Sequence, residues 1–316
     1  VKTGKPVGVT RLGEKLVAWR DRQGAVTVMQ DLCPHRGAAL SLGKLHGDHV
    51  ACPFHGFEFD PTGRCTVIPA NGLNAPVPKA FRVKSYPTRE AHGLIFIWWG
   101  EPQASYPPVP WFTDLPDDAF SYATTTDHWP VHYTRAIENQ LDAIHVPFVH
   151  STTIGRGMGP VVDGPRVEWT ADDRFSIYVR NRRDDGAQPP APAEAVEPDP
   201  RRFHLEFIFP NLWQNYLGEK VRIFVAFVPV DESNTRLYLR FYQGFATAPV
   251  LRSGVNWLAT PMNLWVLRQD KRVVLSQLPI KTELRMGEKL VQGDAPIIAF
   301  RRKREELKCG PLGLLP

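Results

Sequence analysis

Cys33-Pro34-His35 and Cys52-Pro53-Phe54-His55 are two short clips, 16 residues apart, and each offers one thiolate and one imidazole. Such a set can hold a [2Fe–2S] cluster in which two Cys bind one iron and two His the other. Neutral imidazole leaves less negative charge around the cluster than thiolate and so raises its reduction potential. The same four residue types also make a structural zinc site. A zinc finger, however, groups its Cys in one clip and its His in another, whereas both clips here are mixed. Gly37 and Gly56, just past the two His, would let backbone N–H groups approach bridging sulfides. Electron transfer is therefore the first expected chemistry.

A second constellation lies in Glu138–His150, which contains Asn139, Asp142, His145 and His150. Five residues on an ideal helix turn through roughly 500°, so the two imidazoles would diverge by about 140°. Pro147 between them is expected to break the helix and re-aim His150. Two His at this spacing, taken alone, fit a surface pair as well as a metal site. A mononuclear Fe(II) site needs two His and a carboxylate on one face, with positions left open for O2 and substrate. It also needs single electrons, which the upstream clips would supply.

Taken together, these motifs resemble the Rieske non-heme iron oxygenases over essentially the whole chain. The bc-type branch of Rieske proteins carries an extra Cys in each clip. Ala38 and Phe54 stand at those positions here, so the ferredoxin or oxygenase branch is the match. The resemblance implies that Cys33, His35, Cys52 and His55 hold the cluster, and that His145, His150 and Asp270 hold the iron. Asp270 is the best match to the family's carboxylate on a long C-terminal helix; an ion pair with Arg268 or Lys271 is the plain alternative, and Asp163 and Asp294 are weaker candidates expected in loops. The resemblance also places Asp142 between His145 and a cluster His of a neighbouring subunit, and Asn139 near the iron. Helix capping and surface polarity are the bland readings of both. It further implies a head-to-tail homotrimer, because the two metals of one chain lie too far apart.

The implied activity is that of a terminal oxygenase component, monooxygenase more than dioxygenase, of the aromatic O-/N-demethylase and pheophorbide type. It would use O2 to hydroxylate or oxidatively demethylate an apolar or aromatic small molecule. No G-x-G-x-x-G follows a strand, so NAD(P)H is expected to act through a separate reductase or ferredoxin. Trp213, Asn215, Phe148, Asn263 and Trp265 are candidate pocket residues, each equally readable as core. The alternatives are a Rieske-type electron carrier, which would need only the first 100 residues, and a ring-hydroxylating dioxygenase.

The elements that must position these groups fall into two sets. Residues 1–104 read as an all-β Rieske domain of short strands, including 15–20, 25–30, 49–52, 57–60, 81–86 and 94–99, separated by Gly and Pro turns. A stiff Pro-rich connector follows at 106–110. Residues 115–316 read as an α+β catalytic domain, helix-grip-like by resemblance, with antiparallel strands at 203–209, 212–217, 221–230 and 236–245. A helical segment is expected within 129–150, a mobile loop at 189–200, and a long helix at 256–278 interrupted near Pro261.

The 316 residues are 43% hydrophobic and 22% charged, as in ordinary globular chains. No run of 18 apolar residues predicts a membrane span. The 38 Lys and Arg against 33 Asp and Glu give a net charge of +5. Basic clusters at 182–183, 201–202 and 301–304 are interrupted by acids and read as solvated surface, not a nucleic-acid site. Two of the four Cys are left over, Cys65 and Cys309, and free thiols suggest a cytoplasmic location. The chain begins at Val1 within a Lys/Gly/Pro segment, without a signal or transit pattern, so a natural start upstream is expected.

Overall fold

The computed structural model describes residues 1–309, and it divides into two compact units, Val1–Val109 and a second from Pro110 onward. The last seven residues of the expected second domain lie outside the described residues.

The first unit is all β. Strands β1 (Val7–Arg11), β2 (Glu14–Arg20), β3 (Val26–Gln30), β4 (Lys44–His46), β5 (His49–Ala51), β6 (Glu58–Phe59), β7 (Cys65–Val67), β8 (Ser85–Tyr86), β9 (Thr88–Ala91) and β10 (Leu94–Ile97) form three small sheets, ordered β1-β2-β3-β8, β4-β5-β6-β7 and β9-β10. One buried cluster joins Val17, Trp19 and Met29 of the first sheet to Val50 and Phe59 of the second, and Cys33 and Cys52 belong to it. The clips are thus rooted in a packed core and reach solvent only at their tips.

The second unit is built on a seven-stranded antiparallel sheet. Its strands are β11 (Ser121–Trp129), β12 (Val161–Ala171), β13 (Arg174–Arg182), β14 (His204–Ile208), β15 (Leu212–Gly218), β16 (Val221–Asp231) and β17 (Asn234–Gln243), in the order β11-β17-β16-β15-β14-β13-β12. Alternation along β16 and β17 sends Val225, Phe227, Leu237 and Leu239 to one face. There they meet α1 (Tyr133–Leu141), the long helix α4 (Pro249–Val274) and α5 (Ala295–Cys309) through Ile137, Leu141, Leu267, Val274 and Phe300. Two single-turn helices, α2 (Val146–Val149) and α3 (Pro192–Ala195), complete the unit. Among the described residues no helix is long and apolar enough to cross a membrane.

The α+β arrangement agrees with the sequence reading, with four corrections. The sheet has three strands beyond the four expected, since β11, β12 and β13 precede them. In β12 the register shifts between Asp163 and Arg166, which hides the alternation. Helix α4 begins at Pro249 rather than 256, ends at Val274, and runs through Pro261 without interruption. Side chains bond back to the helix around that proline, Thr260 to the Asn256 carbonyl and Asn263 to that of Ala259. The segment 189–200 contains the helical turn α3. Lastly, the basic run 301–304 belongs to α5 and is only half solvated. Arg301 and Arg304, three apart and on one face, are 4% and 3% exposed.

Candidate active site

The two clips have the same backbone. Gly37 N–H donates to the Cys33 carbonyl at 2.9 Å, and Gly56 N–H to that of Cys52 at 3.0 Å. Cys33 N–H donates to the Ala38 carbonyl at 2.9 Å, and Cys52 N–H to that of Phe57 at 2.8 Å. Both turns require a glycine, at φ 73° for Gly37 and 72° for Gly56. The repeated geometry makes two equivalent loops that face each other. Their thiols are buried and their imidazoles exposed, with the His35 and His55 rings 4.6 Å apart and His35 stacked on Phe57 at 4.7 Å. Burial, with Cys52 beside it, pushes the Cys33 thiol up to about 11. Two buried thiols and two exposed imidazoles at the tips of facing loops are a donor set that suits a mixed-ligand cluster.

The second site is assembled around the C-terminal end of α1. Asp142 caps that helix, its N–H bonded to the Glu138 carbonyl. Its Oδ1 accepts from Ile144 N–H at 2.6 Å and His145 N–H at 3.1 Å, turning the chain into α2. His145 precedes α2 and His150 follows it, the latter at φ −104° and ψ 23°. Pro147 therefore does not break a helix between them. It sits in the first turn of a four-residue helix, where its missing N–H has no role. Because His150 has left the helix, the divergence of an ideal helix does not apply, and the two ring centroids are 5.3 Å apart.

Asp270, 3% exposed on α4, faces both rings. Its Oδ1 lies 2.9 Å from His150 Nε2 and 3.4 Å from His145 Nε2. Yet at these distances Oδ1 has no partner in regular hydrogen-bond geometry. Three ligand atoms that point at a common centre instead of at one another behave this way, and all three lie within 4.8 Å. Burial pushes Asp270 up, but the two imidazoles outweigh it and hold the carboxyl down at about 2. Burial likewise opposes charge on His145, but Asp142 and Asp270 raise it to about 9. The triad suits a divalent cation with two imidazoles and one carboxylate, the facial set of non-heme iron.

The structure thus brings His145, His150 and Asp270 together. Asp142 Oδ1 stands 3.6 Å from His145 Nδ1, so it neighbours the ligand while also serving as the cap of the bland reading. Asn139 Nδ2 is buried with no partner. Asp163 is excluded as a ligand: it lies on β12, not in a loop, and is consumed by Arg180 and Arg182 at 2.8 and 3.0 Å. Asp294 lies in a short 3₁₀ turn, bonded to Val291 N–H. Phe148 and Trp265 are 67% and 54% exposed, while Trp213 is core. Sequence reading missed two amides, Gln140 and Gln269. Gln140 Nε2 donates to Asp270 Oδ2 at 3.4 Å, which leaves Oδ1 for the centre. Their only sequence signal is adjacency to Asn139 and Asp270.

Comparison with known proteins finds two domain families along the chain. Residues 1–87 match the Rieske [2Fe-2S] domain, and residues 129–308 match the vanillate O-demethylase oxygenase C-terminal domain. The chain belongs to the Rieske oxygenase family. The family's cofactors are the Rieske cluster and a mononuclear iron. Among curated Rieske oxygenase relatives, the oxygenase component of dicamba O-demethylase from Stenotrophomonas maltophilia is 37% identical over 46% of this chain and 43% of its own length. Toluene-4-sulfonate monooxygenase system iron-sulfur subunit TsaM1 from Comamonas testosteroni is 36% identical over 46% of this chain and 42% of its own. Protein TIC 55 of Arabidopsis thaliana is 33% identical over 47% of this chain and 28% of its own. The chain thus spans less than half the length of these curated relatives. Pseudomonas putida CBB5 NdmA, solved with caffeine, superposes with a TM-score of 0.76 at 26% identity, covering 96% of this chain and 85% of that one.

Proposed function

We propose that this chain is the terminal oxygenase component of a multicomponent monooxygenase, which takes electrons from a separate reductase or ferredoxin and uses O2 to hydroxylate or oxidatively demethylate an apolar aromatic small molecule. The observation that carries this reading is the convergence of His145 Nε2, His150 Nε2 and Asp270 Oδ1 without hydrogen bonds among them. When bound, a cluster would supply single electrons and an iron centre would supply O2 activation.

The first unit is assigned the cluster, through Cys33, His35, Cys52 and His55, and the second the iron, through His145, His150 and Asp270. Gln140 orients Asp270. Asp142 holds the turn that presents His145, and in a head-to-tail homotrimer its carboxylate would also accept from a cluster imidazole of the neighbouring chain, fixing both rings. Asn139 offers its unpaired Nδ2 as a donor near the iron. The substrate is expected on the sheet face that packs against α4. Trp213 Nε1 and Asn215 Oδ1 are buried there without partners, next to each other on one side of β15. A buried donor and acceptor in an apolar, aromatic wall suit a ring bearing a polar substituent. The names of dicamba O-demethylase and toluene-4-sulfonate monooxygenase support this substrate class. The cytoplasm is the proposed compartment, where the buried Cys65 thiol, raised by that burial, stays reduced.

The test is turnover of the reconstituted chain with a reductase and NADH over a panel of O-methyl, N-methyl and methyl aromatics. Coupled loss of O2 and appearance of formaldehyde or a hydroxylated product is expected, and His145→Ala should abolish it. A cluster that reduces and reoxidises normally while no aromatic in the panel is converted would instead favour an electron carrier.

A further inference from the structure

His150 is gripped on both ring nitrogens by consecutive residues of α4. Asp270 Oδ1 faces Nε2 at 2.9 Å, and Gln269 Oε1 lies 2.8 Å from Nδ1. The Gln269 amide is itself held. Thr153 Oγ1 donates to its Oε1 at 2.8 Å, and its Nε2 donates to Thr152 Oγ1 at 3.4 Å. In this arrangement the amide presents its oxygen to the imidazole. An amide oxygen only accepts, so Nδ1 must carry the ring proton, and the Nε2 lone pair is left to point at the centre beside Asp270. A reversed amide would donate to Nδ1 and put the proton on Nε2, where it would block ligation. His145 has no such device, since its Nδ1 is buried without a hydrogen bond and Asp142 Oδ1 is 3.6 Å away.

We propose that Gln269 is the positioning residue that locks His150 in its metal-binding tautomer and orientation, with Thr153 fixing the Gln269 amide. This inference rests on the reading of His145, His150 and Asp270 as the iron site. The local path of the chain explains why an amide can do this. The α2 turn ends at His150, and Thr153 N–H bonds back to the His150 carbonyl at 2.9 Å, so Thr152 and Thr153 are folded under the ring. The following helix then supplies, from neighbouring positions, both the acceptor behind the ring and the carboxylate in front of it. Outer partners of metal-bound imidazoles raise ligand basicity and fix ring orientation, and losing one weakens metal affinity by roughly 10–100-fold.

The experiment titrates Fe(II), and Co(II) as a spectroscopic probe, into the full chain carrying its cluster but stripped of mononuclear metal. The proteins are wild type, Gln269→Leu and Gln269→Glu, and the readouts are the dissociation constant by chelator competition and the Co(II) ligand-field spectrum. Gln269→Leu removes the acceptor at similar size and should weaken binding by about 10–100-fold with a changed spectrum. Gln269→Glu keeps an acceptor at the same reach and should restore affinity to within a few-fold of wild type. Equal affinities and spectra for Leu and wild type would overturn the inference, as would a Glu variant no better than Leu. If Gln269→Leu does not fold, judged by the cluster signal and thermal melt, Thr153→Val decides: weakened binding supports the lock, and unchanged binding overturns it. A wild type that takes no metal at the triad would overturn the iron-site reading itself, a distinct result from a lock that fails on a working site.

Discussion

Helix α1 has two ends that bury charge in opposite ways. At its N-terminal end His132 caps the helix, accepting from Thr134 N–H, and along its length Glu138 is gripped by Arg301 through two bonds of 2.8 and 2.7 Å. Thr282 Oγ1 also donates to Glu138, while Arg301 and Arg135 share Glu288. In that network charge faces countercharge in hydrogen-bonding geometry. Past the C-terminal end, His145, His150 and Asp270 lie as close together but leave Asp270 Oδ1 and His145 Nδ1 unbonded. His132 and His145 report the same contrast. Burial, with Lys281 and Arg304 nearby, lowers His132 to about 4, whereas the carboxylates overcome burial and raise His145 to about 9. A closed cluster ties helices together; an open one is completed by something from outside.

The largest effect expected from breaking this contrast is on the closed side. Glu138→Ala leaves Arg301 buried without its bidentate partner and should destabilise the fold by about 3–5 kcal/mol, the usual result of removing one member of a buried pair. Chemical denaturation measures it. A loss below about 1 kcal/mol would show that the network is not what docks α5 on α1.

Next comes the acid limb of stability. His132 titrates near 6.5 when unfolded and near 4 when folded, so the unfolded state takes up its proton first as pH falls. Stability is intact above pH 6.5 and is lost progressively down to about pH 4, by about 3 kcal/mol for this group. His132→Asn keeps a cap acceptor and should flatten that limb. In the apoprotein His145 acts with the opposite sign. Its raised value gives stability that is full below pH 6.5 and lost as pH climbs through about 9. Denaturation curves across pH for wild type and His132→Asn check both limbs.

The smallest effect on folding, though not on function, is expected at Asp142. Asp142→Asn keeps an oxygen for Ile144 N–H and His145 N–H, so the melting temperature should barely move. It removes the charge 3.6 Å from His145, and turnover should fall about 10–100-fold. Equal losses of turnover and stability would return Asp142 to a purely capping role.

The open end was far more legible in sequence than the closed one. His145 and His150 gain their meaning from the Cys-His clips upstream, and Asp270 pairs with them through the family pattern. The closed network joins Glu138 to Arg301 across 163 residues, and no local pattern distinguishes Arg301 from a solvated arginine. Helix α5 is hidden in sequence because its charged face looks like surface, and α4 reads as interrupted because Pro261 looks like a breaker. Strands β11 to β13 were missed for a similar reason, as their polar and Gly-Pro residues mask alternation. Gln269 carries no charge and no motif; only its distance to His150 Nδ1 gives it a role.

The measurement that bears most directly on the open end is iron and acid-labile sulfide per chain, with EPR of the reduced protein, for wild type and Asp270→Ala. The account predicts three irons and two sulfides with a Rieske signal in wild type, and two irons with the same sulfide and signal in the variant. Two irons in both proteins would contradict it, leaving the triad as a buried ion pair and the chain as an electron carrier.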